Sequence, residues 1–87
     1  MISLHERSDL IHIMKINRLT LREADTAHLT FDGQIAGSDY EVTVLVLEEA
    51  PSVVVKKSGK TVHSETVKSV DDLKIFLEEQ LYQYLEV

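Results

Sequence analysis

The chain is predicted to be an α+β domain, an antiparallel β-meander of four to five strands packed against a C-terminal amphipathic α-helix. Three observations predict it. Residues 69–87, SVDDLKIFLEEQLYQYLEV, carry apolar side chains at helical spacing. The middle of the chain is a succession of short runs rich in Val, Thr, Ile, Leu and Phe. Each run is bounded by Gly, Pro, Asn, Asp or Ser, the residues that turn a chain.

The helix carries its own start signal. Ser69 followed by Asp72 has the spacing at which a hydroxyl accepts from a free backbone N–H of the first turn, and Asp71 and Asp72 sit at the positive end of the helix dipole. At 100° per residue Val70, Leu73, Leu77, Leu81, Tyr84 and Leu85 share one side, flanked by Phe76 and Val87, which makes a core-facing stripe. Ile75 and Tyr82 fall together on the opposite side among Glu78, Glu79 and Glu86. They are expected at the surface.

In the middle, a two-residue turn at Gly37-Ser38 pairs residues 28–36 with 39–47, setting Leu29 opposite Val46, Phe31 opposite Val44 and Ile35 opposite Tyr40. One face is then apolar, while the other carries Asp32 opposite Thr43 and Gln34 opposite Glu41. The rival turn at Asp32-Gly33 leaves the Val and Leu run unpaired and ranks second. With a turn at Asp25-Thr26-Ala27, Leu19 and Leu21 fall beside Gly33 and Phe31 on the same inner face. Upstream, Ser3-x-x-Glu6 is a second capping signal and would support a helix from Leu4, but Leu10–Ile16 is rich in β-branched residues and partly alternating. A strand from about Leu10 is the favoured reading.

After Pro51, a turn at Ser58-Gly59 sets Val55 against Val62 and Val54 against His63, and a hairpin through residues 49–52 sets Leu47 against Val53 and Leu45 against Val55. Val44, Val46 and Val54 then face Phe31, whereas Leu45, Leu47, Val53, Val55 and Val62 face away. Strands apolar on both sides are covered on both sides, and one helix covers one.

Eighty-seven residues make a single domain: a flexible lead-in over 1–9, sheet over 10–67, helix over 69–87. With 44% hydrophobic and 28% charged residues the composition is that of a folded chain, and without cysteine there is neither a disulfide framework nor a thiolate metal site. No apolar run approaches the roughly 20 residues that span a bilayer, and the N-terminus lacks a signal-peptide pattern, so a cytoplasmic location without membrane contact is expected. Nine basic residues against fifteen acidic ones give a net charge of −6, and no Lys or Arg lies between Glu23 and Val55. Direct nucleic-acid binding, which needs a broad basic surface, is not expected.

Chemistry-bearing motifs are absent. Ser58-Gly59-Lys60-Thr61 echoes the end of a P-loop, but Val54 stands where its first glycine belongs and no helix follows to receive a phosphate. His5, His12, His28 and His63 have no metal-ligand spacing, and His63-Ser64-Glu65 alternate across a strand. No cofactor, metal or catalytic residue is assigned.

The functional expectation is therefore a small acidic non-enzymatic protein-interaction module, self-associating as a homodimer or binding another protein. Its partner-binding candidates are Leu45, Leu47, Val53, Val55 and Val62 on the second sheet face, and Ile75 and Tyr82 on the helix. Small size and acidity also suit an inhibitor or regulator of a host protein of the type phages encode, with Asp32, Asp39 and Glu41 as an acidic surface mimicking nucleic acid. The alternative is a small-ligand or metal-dependent enzyme built on His28, Asp32 and His63.

Overall fold

In the computed structural model, which describes residues 3–47 and 49–85, the chain opens on a helix where a strand was expected. Helix α1 runs Leu4–Ile16. Ser3 caps it: the Glu6 N–H donates to the Ser3 hydroxyl at 3.1 Å and the Ser3 N–H donates to the Glu6 carboxylate at 3.1 Å. Leu10 and Met14, one turn apart, are buried, Ile11 and Ile13 lie half-covered against the core, and Ile16 is exposed. That is a period of 3.6, so the cap and tertiary burial override the β-branched content.

The helix ends in a Schellman motif. The Arg18 N–H donates to the Lys15 carbonyl at 3.0 Å and the Leu19 N–H to the Met14 carbonyl at 2.9 Å, with Arg18 left-handed at φ 67°. Met14 and Leu19, the apolar pair that brackets such a motif, are both buried. Arginine is a poor occupant of a left-handed position, which glycine adopts without strain. Arg18→Gly is expected to stabilise the fold by roughly 0.5–1 kcal/mol, read as a higher urea midpoint at unchanged slope. An unchanged or lowered midpoint would show that the side chain contributes more than the strain removes.

Five strands follow: β1 (Thr20–Ala24), β2 (His28–Ile35), β3 (Ser38–Leu45), β4 (Ser52–Lys57) and β5 (Lys60–Thr66), antiparallel and in sequence order across one sheet. Asp25 sets the first turn, because its carboxylate accepts from the Ala27 N–H at 2.8 Å and the His28 N–H at 2.7 Å. These two bonds hold its carboxyl below the usual carboxylate range. Leu21 lies opposite Phe31, as expected. The second turn is Ala36-Gly37, both at positive φ, one residue earlier than expected. Val44 therefore faces Leu29 where Phe31 was expected, a slip of two residues. An even slip keeps every side chain on its face, so Leu29, Phe31, Ile35, Tyr40, Val42 and Val44 share the buried side.

Between β3 and β4 the slip is odd. Residues 46–51 connect the strands, and the Val46 N–H turns back to the Ala27 carbonyl at 2.7 Å. Val55 consequently lies opposite Val42 where Leu45 was expected, a difference of three residues that inverts the strand. Val53 and Val55 are core, 1% and 0% exposed, and Val54 points away from it. This corrects their assignment to the second face.

The last hairpin turns at Ser58-Gly59 as expected, but a bulge at Val62 follows, so Val55 faces His63 and Val54 faces Ser64.

Helix α2 spans Val70–Glu79, with the Asp72 N–H donating to the Ser69 hydroxyl at 3.2 Å. It stops short of the expected length, giving way at Gln80 to a 3-10 turn over Leu81–Gln83. The tighter coil keeps Leu81 and Leu85 buried while bringing Tyr84 onto the ring of His63. Glu86 and Val87, where the expected helix ends, and Glu48 lie outside the described residues.

Both helices cover the same face. Buried residues of α1, α2 and the inward positions of the strands form one cluster, and the helices are tied by Asn17, whose amide donates to the carbonyls of Ile13 and Leu77 at 3.3 Å, and by Lys74 to Asp9 at 3.2 Å. Helix α1 thus lies beside α2 and does not cover the second side of the sheet. Among the described residues no helix is long and apolar enough to cross a membrane.

Candidate functional site

The uncovered face is ordered by the strand register into three rows. Asp32, Glu41 and Lys56 lie side by side on β2, β3 and β4; Thr30, Thr43, Val54 and Ser64 form the next row; His28, Leu45, Ser52 and Thr66 the third. None of these side chains is fully buried. One end of the face carries Asp32, Glu41 and Lys56, Glu23 on β1 lies beside Thr30 in the middle row and His28 stands in the third, while the centre is a band of hydroxyl and aliphatic groups.

The charged end depends on the bulge in β1. The slip of two in the β2–β3 hairpin puts Asp32 directly opposite Glu41, a like-charge pair that destabilises neighbouring strands. The register of β1 is broken between Leu21 and Glu23, and the extra residue, Arg22, reaches both acids: it hydrogen-bonds Glu41 and approaches Asp32 at 3.3 Å. The hydrogen bond to Glu41 and the surrounding carboxylates raise the guanidinium pKa further above its ordinary value. With Lys56 on the other flank, the row Arg22, Asp32, Glu41, Lys56 sums to zero charge. It lines, with Gln34 and Tyr40, a shallow concavity of about 480 Å³.

Two of the three acids of the expected acidic surface are locally neutralised. Asp32 and Glu41 share Arg22, and Asp39 lies 3.4 Å from the Gln34 amide. Arg22 was missed because the expected register set Asp32 against Thr43. The signal that would have found it is its position as the last cation before the acidic stretch from Glu23 to Val55.

Of the partner-binding candidates, Leu45 is half-buried on the open face, and Leu47 and Val62 are exposed at its margins. Val53 and Val55 are not part of it, because the odd slip between β3 and β4 turns them into the core. Ile75 and Tyr82, 48% and 56% exposed, lie on either side of the helix break and border different depressions. Ile75 borders a depression with Glu65 and Lys68; Tyr82 borders an apolar groove of about 390 Å³ with Ile16, Ile35 and Leu85.

His28, Asp32 and His63 are not brought together. His28 and Asp32 lie on the open face four residues apart, a separation of about 13 Å along a strand. His63 is on the covered side, where its ring stacks on Tyr84 with centroids 3.9 Å apart and on Phe76 at 5.8 Å, and its Nε2 lies 3.0 Å from Glu65. That triple stack seals the β5 edge of the core. Among the described residues no three His, Asp or Glu side chains converge as metal ligands would. Neither a known protein family, nor a curated protein, nor a solved structure matches the chain.

Proposed function

We propose that this chain is a non-enzymatic protein-interaction module, self-associating or regulatory, whose contact surface is the open face of its sheet. The observation that carries this reading is the one-sidedness of the fold: α1 and α2 share a single face, leaving the band around Thr43, Leu45 and Val54 to be covered from outside. Aliphatic and hydroxyl side chains around Thr43, Leu45 and Val54, with charged groups at the Asp32 end and along the β1 edge, have the composition of an interface whose polar rim flanks a less polar centre. A module of this kind acts by occupying another protein's surface, as inhibitors and regulators do.

A photo-crosslinking side chain at Val54 tests it in cells expressing the chain, with one at Glu78, on the exposed side of α2, as control. The expected result is a discrete covalent adduct from position 54 that is absent from position 78 and disappears when Leu45→Lys is added. Adducts from both positions alike, or from neither, would overturn the assignment of the face.

A further inference from the structure

We infer that the open face packs against the same face of a second copy of this chain, across a twofold axis running along β3. This rests on the open face being the contact surface and names its occupant. The register decides the arrangement. A twofold along the central strand lays β2 of one copy over β4 of the other with strands aligned, the usual way two sheets stack. Asp32 then meets Lys56 of the other copy, and Lys56 meets its Asp32, so two opposite-charge pairs form at one end. Thr30 meets Val54, and on the axis Thr43 and Leu45 each meet their own equivalents. Glu41 also meets its equivalent, but each brings the Arg22 that already neutralises it.

An axis across the strands instead lays Asp32 over His28, Glu41 over Leu45 and Lys56 over Ser52, so that Glu41 and Lys56 are buried against uncharged groups, which is costly. The complementarity therefore selects one orientation.

Size sets the strength. Five strands at about 4.8 Å spacing, the longest of eight residues at about 3.3 Å, make a face of roughly 24 by 26 Å. Two such faces bury on the order of 1,200 Å², the lower end of specific interfaces.

Sedimentation equilibrium on a charge-reversal set tests this. Wild type is expected to dimerise, while Asp32→Lys alone and Lys56→Asp alone are expected to be at least tenfold weaker, since each homodimer then opposes like charges twice. An equimolar mixture of the two variants restores both attractive pairs and is expected to form a heterodimer near wild-type strength. Restoration in trans also excludes misfolding as the cause of the loss. Singles as strong as wild type, or a mixture that stays monomeric, would overturn the arrangement. If wild type is monomeric yet the position-54 adduct to another protein persists and depends on Leu45, the face serves a different partner and only this inference falls.

Discussion

Val55→Asp is expected to leave the chain unfolded at 25 °C, whereas Val54→Asp, one residue away, should fold. Val55 has no exposed surface and sits between Val42 and His63 on the covered face. A carboxylate there faces Val42 on one side and on the other the His63 ring, which is already stacked on Tyr84 and bonded to Glu65, and a poorly paired buried charge costs several kcal/mol, comparable with the roughly 5–15 kcal/mol that holds a small domain together. Val54 lies between Thr43 and Ser64 on the open face, where the carboxylate keeps its water and the change should stay within about 1 kcal/mol. Circular dichroism and urea unfolding at low protein concentration read both variants. Equal loss from the two, or the reverse order, would refute the β3–β4 register and with it the identity of the open face.

The second large effect is expected at Gly33→Ala. A methyl group at this position would lie 2.4 Å from the Arg18 carbonyl oxygen and 3.2 Å from Leu19 Cδ2. Neither neighbour yields easily, since Arg18 and Leu19 are held by their hydrogen bonds to the end of α1, and Leu19 is fully buried. Forcing β1 away from β2 is an overpacking defect of about 1–3 kcal/mol, or roughly 5–20 °C in melting temperature for a domain of this size. Gly33 is thus the residue that lets the first helix hand the chain directly to the sheet. A melting temperature within a degree of wild type would show that the junction is more pliable than this close approach implies.

How much of this was legible in the sequence follows from the arithmetic of pairing. The covered face of β2 and β3 could be read from alternation alone, because moving the turn from Gly37-Ser38 to Ala36-Gly37 displaced the pairing by an even number. The β4 assignment failed because residues 46–51 form a longer connection than the tight hairpin expected, and no local signal in Leu47–Ser52 fixes its length. A run of three valines offers no alternation to arbitrate. The first helix was visible in Ser3 and Glu6 and outweighed by the isoleucines that follow, whose burial depends on contacts with distant parts of the chain. Placement on the open face followed the same arithmetic: that of Leu45, Asp32 and Glu41 could be read from alternation, whereas that of Arg22, Val54 and Lys56 required knowing which strand lay beside which. The stop of α2 at Gln80 has no sequence cue, since no Gly or Pro marks it.

The meander has a consequence for the order in which the molecule can assemble. Each strand's partners are its neighbours along the chain, so a growing polypeptide can add hairpins as they are made, with short loops to close. The leading helix is the exception. Its ties to α2, Asp9 to Lys74 and Asn17 to Leu77, span 65 and 60 residues. Helix α1 therefore joins α2 only after the strands between them have been laid down, and the core closes when the two helices meet.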